Sequence, residues 1–249
     1  MLFRSKLQRD NGLAYTPQQI VVSTGAKQSI ANVMLSILDD DDEIIIPTPY
    51  WVSYSEIARF GRGKVVFINT TMDTGFKLTP EQLESAITDK TKLFIFSSPC
   101  NPTGAVYTKS ELQALAEVFR KYPRIFIISD EIYEYIDYAN DNVSGHQSIA
   151  QFDDLKDRII IVNGLSKGFA MTGWRLGYIA APVEIAKACE KIQGQFTSGT
   201  NSIAQRAAIT ALDSPLSSTY EMVKEFKARK QKVIELLKEI PGIKYAEPD

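Results

Sequence analysis

Three short polar clusters in this 249-residue chain hold residue types that could work on one small ligand. Lys167 stands in Gly164-Leu165-Ser166-Lys167-Gly168. A protected amine can capture a carbonyl compound and later carry a proton. Asp130 opens Asp130-Glu131-Ile132-Tyr133, which puts a carboxylate and a phenol three residues apart. Asn101 adds an amide within Ser97-Ser98-Pro99-Cys100-Asn101-Pro102-Thr103-Gly104. Each cluster also has an ordinary reading. Asn-Pro-Thr-Gly is a good turn, Asp130 can cap the turn that follows it, and most lysines are surface residues. Position joins them, because each cluster directly follows a run of strand-forming residues. In open α/β sheets ligands bind outside the carboxyl ends of the strands, so the three share one end and one site.

The elements that must place them alternate along the chain. Strands are expected at EIIIP (43–47), KVVFI (64–68), KLFIFS (92–97), RIFIIS (124–129), RIIIVN (158–163) and LGYIAA (176–181). Helical patterns cover 26–38, 51–60, 80–88, 108–122, 182–196, 200–212 and 215–239. Several strands are nearly continuous apolar runs, the pattern of strands buried on both faces. The expectation is an α/β fold: three layers, a mostly parallel sheet with helices on both faces. Only a dozen Gly-rich residues separate 158–163 from 176–181, so that pair is antiparallel or non-adjacent. MLFRSKLQRDNG at the start reads as the last turns of a helix stopped by Asn11-Gly12, which suggests chain upstream. The closing GIKYAEPD ends without an element, so the sequence reads as a fragment.

Composition narrows the possibilities. The chain is 44% hydrophobic and 23% charged, with 28 basic and 30 acidic side chains and a net charge of −2. This is the make-up of a globular chain, and nothing in it calls for nucleic acid or an anionic membrane. No apolar run approaches a membrane span. Cys100 and Cys189 are too few for a disulfide scaffold and fit a reducing compartment, here the cytoplasm. The acidic run Asp39 to Glu43 reads as a solvated corner, and no metal site is expected. His146, the only histidine, has no partner at a recognisable spacing and reads as a loop residue.

Ser166-Lys167 followed by Met171-Thr172-Gly173-Trp174-Arg175-Leu176-Gly177 resembles the lysine motif of class I/II, fold type I, pyridoxal-phosphate aminotransferases. Asn101-Pro102-Thr103-Gly104, Asp130-Glu131-Ile132-Tyr133, Ser23-Thr24-Gly25-Ala26-Lys27-Gln28 and Pro49-Tyr50-Trp51 match the same family in order and spacing. The resemblance covers essentially the whole chain and leans towards bacterial aspartate aminotransferases.

The resemblance implies pyridoxal 5'-phosphate as cofactor, with Lys167, Asp130 and Tyr133 as catalytic residues. Lys167 would form the Schiff base with the cofactor and then shuttle the proton at the substrate α-carbon, which needs an amine able to shed its charge. Asp130 would pair with the protonated pyridine nitrogen and so make the ring an electron sink. Tyr133 and Asn101 would hydrogen-bond the phenolic oxygen. Gly25, Ala26 and Lys27, at a helix start, would cradle the phosphate with Ser166 and Arg175. Arg175 would be brought round by turns at Gly168 and Gly173. Trp51 would stack on the ring. Neither cysteine receives a role, and Cys189 is expected to be packed.

The resemblance further implies a homodimer acting on an amino acid and a 2-oxo acid, with aspartate as the expected donor. Residues 1–213 would be the cofactor-binding large domain, and 214–249 a linker helix and the start of a small domain. The family's substrate-carboxylate arginine and the tyrosine that reaches the partner's phosphate have no counterpart here. The alternatives are an aminotransferase of another substrate range, a lyase on the same fold, and a non-catalytic effector domain that senses amines. Retention of Lys167 and Asp130, without a basic helix-turn-helix, favours the enzyme.

Overall fold

The chain alternates short, nearly continuous apolar runs with stretches of 3.6-residue apolar period, and the backbone follows that alternation. The computed structural model describes residues 2–138 and 145–249. Its strands are β1 (Ile20–Ser23), β2 (Glu43–Thr48), β3 (Lys64–Asn69), β4 (Thr91–Ser97), β5 (Phe126–Asp130), β6 (Ile159–Gly164) and β7 (Gly177–Ala180). Its α-helices are α1 (Leu2–Asn11), α2 (Ala26–Ile37), α3 (Ser53–Phe60), α4 (Pro80–Ala86), α5 (Lys109–Lys121), α6 (Val183–Phe196), α7 (Ser202–Asp213) and α8 (Ser217–Lys238).

One sheet has the order β1-β7-β6-β5-β4-β2-β3. Its pairs are parallel except those of β7, which runs antiparallel to both β6 and β1. The short connection before 176–181 is thereby explained. It is too short for a crossover, so the chain turns back and pairs Gly177 with Gly164 and Ala180 with Ile161. β1 was not among the expected strands. Four residues, Ile20-Val21-Val22-Ser23, are too few to show a period, and they become a strand by pairing with β7.

Alternate residues of the central strands feed two cores. Phe94 and Phe96 join Leu112, Leu115 and Phe119 of α5 on one face. Leu93 and Ile95 join Ile30, Val33 and Met34 of α2 on the other. α5 starts where Thr108 accepts from Glu111 N and the Glu111 carboxylate accepts from Thr108 N, a reciprocal cap worth about 1 kcal/mol. The acidic corner is paired with Arg62 and Lys64, as a solvated turn would be. Among the described residues, none group as metal ligands, and no helix is long and apolar enough to cross a membrane. Cys189 is packed, and burial pushes its thiol up to about 11. α8 buries only Thr219 and Ile234 and leaves Val233 and Leu236 exposed.

Candidate active site

Every strand but β7 points its carboxyl end at one edge of the sheet. β4 delivers Ser97, β5 delivers Asp130, and β6 leads into Ser166 and Lys167. β1 ends at Ser23 and hands over to the start of α2 at the same edge. β7 begins there, which brings Arg175 in from the opposite direction. These ends surround a cavity of about 310 Å³. Ala26, Lys27, Trp51, Asn101, Asp130, Tyr133, Ser166, Lys167 and Arg175 all line it. Gly25 stands just behind Arg175: a Cβ there would lie 2.2 Å from the arginine's Nη2.

Asp130 forms the floor and is buried. Its Oδ2 accepts from the Tyr54 hydroxyl at 2.6 Å, and its Oδ1 accepts from Ile132 N at 3.2 Å. Burial raises its carboxyl from 3.8 to about 6; Tyr54, the Ile132 N–H and nearby Lys167 oppose that rise. Asp130 therefore does cap the local turn, and it also presents a costly carboxylate to the cavity. Tyr54 is itself buried and pushed well above the usual phenol range, by burial first and by Asp130 second. Sequence reading did not place Tyr54 in the site. The available signal was its spacing from Trp51, three residues and so about one helical turn away. The two rings meet edge to face with centroids 5.5 Å apart.

Lys167 Nζ lies over the Tyr133 ring, 5.3 Å from its centre. Lys27 Nζ lies 4.9 Å from the centre of the Trp51 ring. Arg175 and the opening N–H groups of α2 add positive character to the same wall. Ala26 N and Lys27 N lie in the first turn, where no intrahelical acceptor exists. Gly25, at φ 84°, turns the chain into the helix and leaves space for the guanidinium.

The turns expected at Gly168 and Gly173 are present: Ala170 N donates to Lys167 O at 3.1 Å and Trp174 N to Met171 O at 3.2 Å. Ala170 and Arg175 add positive φ angles, both 51°. Gly168 is also required for close packing, since a Cβ would meet Tyr135 Cδ2 at 2.6 Å. One expectation needs correction: His146 lies outside the regular elements, as expected, but it does have a partner. Its side chain is buried, with Nε2 3.1 Å from Glu131 Oε2, at ion-pair distance though not aligned as a hydrogen bond. Burial alone would lower the His146 pKa, but the Glu131 charge holds it raised. Burial alone would raise Glu131, but His146 and the Ser148 and Ser129 hydroxyls hold it low. The partner lies 15 residues away in sequence, and no spacing rule could find it.

This arrangement of lysine, carboxylate and cationic wall can be set beside known proteins. The profile of the family described as aminotransferase class I and II matches residues 2–249. The chain belongs to this family. It is 48% identical over 246 residues to the bifunctional aspartate aminotransferase and glutamate/aspartate-prephenate aminotransferase of Petunia hybrida, covering 98% of this chain and 51% of the relative. It is 45% identical over 245 residues to the aspartate aminotransferase of Bacillus subtilis, covering 98% and 61%. Among solved structures, the aspartate aminotransferase of Rhizobium meliloti superposes with a TM-score of 0.95 at 42% identity, over 99% of this chain and 62% of that one. The aromatic aminotransferase of Pyrococcus horikoshii gives 0.95 at 38%, over 100% and 66%. The family member described here thus spans about half to two thirds of the length of these relatives. The three-layer fold type I architecture is shared with them.

Proposed function

We propose that the protein to which this chain belongs is a pyridoxal-phosphate-dependent aminotransferase that moves an amino group from an amino acid, with aspartate foremost, to a 2-oxo acid. One observation carries the reading: Lys167, a buried Asp130 and the cationic wall of Lys27 and Arg175 line the same cavity. The residues present fit the cofactor. A buried carboxylate whose pKa has risen to about 6 favours a cationic ring nitrogen beside it. The cleft behind Gly25 that only a missing Cβ leaves open holds a guanidinium suited to a phosphate.

When bound, pyridoxal phosphate supplies an aldehyde that takes an amine and a ring that takes up the electron pair released at the amino acid's α-carbon. Asp130 would keep a proton on the ring nitrogen, with Tyr54 holding the Asp130 carboxylate in place. Arg175, the Ser166 hydroxyl and the first N–H groups of α2 would hold the phosphate. Tyr133 and Asn101 would donate to the phenolic oxygen, and Trp51 would pack on the ring. Lys167 Nζ would hold the group through its aldehyde and would accept and return the proton at the substrate α-carbon. Residues 1–213 would form the cofactor-binding unit, with 214–249 leading into a second unit. The working protein would be a cytoplasmic homodimer.

Borohydride reduction after incubation with pyridoxal phosphate, followed by peptide mapping, tests the lysine. The label is expected on Lys167. Label spread over surface lysines with Lys167 unmodified would remove the assignment. A panel of amino acids, read by the loss of the bound-cofactor absorbance, then ranks aspartate against aromatic donors.

A further inference from the structure

Glu134 sits behind the cavity, on the side of α1, and joins three distant parts of the chain. Its carboxylate pairs with the Lys6 ammonium of α1 and accepts from Asn11 Nδ2 at 3.0 Å and from Asn163 Nδ2 at 2.9 Å. Lys6 is 2% exposed and Glu134 3%. Asn163 is fixed at its other side-chain atom too, because its Oδ1 accepts from Gly164 N at 2.7 Å. Tyr135, next to Glu134, donates to Asp10 of α1 at 2.6 Å. α1 therefore grips one short turn by three of its residues, Lys6, Asp10 and Asn11.

The placement of these residues along the chain gives the cluster its meaning. Glu134 directly follows Tyr133 and lies four residues past Asp130. Asn163 lies near the end of β6, four residues before Lys167. The Glu134–Asn163 hydrogen bond thus ties the turn bearing Asp130 and Tyr133 to the strand that delivers Lys167. Glu134 itself does not line the cavity. A buried ion pair is a poor source of stability, because well-packed apolar residues of similar volume are as good or better. An apolar pair lacks one thing: a directed acceptor for Asn163.

We propose that Glu134 is a positioning residue that sets Lys167 against Asp130 and Tyr133 through Asn163, with Lys6 holding its charge in place. This rests on the function proposed above. Lys6 supplies the countercharge that keeps a carboxylate affordable in the interior. Glu134 spends one oxygen on the β6 strand, and the other is steadied by Asn11. The lysine and the residues that face it are then held by one acceptor rather than by two independent loops.

Two paired variants separate this role from plain stabilisation. Lys6→Met with Glu134→Gln keeps an acceptor for Asn163, while Lys6→Met with Glu134→Leu removes it without stranding a charge. Asn163→Ala breaks the same link with the ion pair intact, which covers the case of a paired variant that does not fold. Each is measured by urea unfolding without cofactor, by quenching of tryptophan fluorescence with pyridoxal phosphate, and by pH titration of the bound-cofactor absorbance. The glutamine pair should keep the wild-type Kd within about twofold, while the leucine pair and Asn163→Ala should lose about tenfold, the worth of one positioned hydrogen bond. The absorbance midpoint should move in the latter two and stay in the first. Wild-type Kd and midpoint in the leucine pair and in Asn163→Ala would overturn the proposal, whatever happens to stability. So would a glutamine pair displaced as far as the leucine pair. Borohydride label on Lys167 of the wild-type protein keeps the two questions apart: without it the proposed function falls, and with it these variants judge Glu134 alone.

Discussion

Asp130 should make the cofactor-free fold weaker as the pH rises, and the structure fixes the size of the effect. The side chain is buried, so water does not screen it, and its carboxyl titrates near 6 in the fold against 3.8 when unfolded. Such a displacement corresponds to about 3 kcal/mol. A carboxyl raised by folding contributes its stability in full below the unfolded value and loses it as pH climbs through the folded one. The loss therefore runs from about pH 4 to about pH 6 and persists above. Asp130→Asn cannot ionise. It surrenders one of the two contacts from Tyr54 and Ile132, a cost of about 1 kcal/mol that does not change with pH. The stability difference between wild type and Asp130→Asn should thus swing by about 3 kcal/mol between pH 4 and pH 7, with the variant relatively stronger at pH 7. Urea unfolding at half-unit pH steps measures it, and other titrating groups cancel in the difference. Saturating pyridoxal phosphate should stabilise both proteins through Lys167 and the phosphate wall, but above pH 6 it should stabilise the wild type more than the variant, since a cationic ring nitrogen lowers the carboxyl again. Parallel pH profiles for the two cofactor-free proteins would refute the reasoning.

Other substitutions test separate parts of the site. Gly25→Ala places a methyl 2.2 Å from Arg175 Nη2 at a φ of 84°, so the guanidinium must move. The fold should lose about 1–2 kcal/mol, while affinity for pyridoxal phosphate, read by fluorescence quenching, falls further than that strain accounts for. His146→Gln should leave Glu131 charged and buried without a countercharge, at a cost of about 3–5 kcal/mol near neutral pH in urea unfolding. His146 is raised by its partner, so its contribution is full below the unfolded histidine value and fades as pH rises through the folded one. Glu131 is lowered, so its contribution fades on the acid side. The alkaline loss should be missing from the His146→Gln profile.

Much of this molecule could be read from the chain alone, because burial on both faces of a sheet writes itself as unbroken apolar runs. Phe94 to Phe96 and Ile159 to Val162 announced central strands, and the polar residues following them announced the site's edge. The lysine motif around Ser166 and Lys167 carried the family. β1 was not legible, since a four-residue strand takes its identity from its partner β7 and not from a period of its own. The positive φ angles at Ala170 and Arg175, and the packing of Gly168 against Tyr135, were not legible either. Contacts across the chain needed the tertiary structure for the same reason. Tyr54 reaches Asp130 over 76 positions, and Lys6 reaches Glu134 over 128. Local sequence sets which face of an element is apolar and which residues stand at its ends. Sheet order, with β5 between β4 and β6 and α1 laid behind them, decides which of those ends meet.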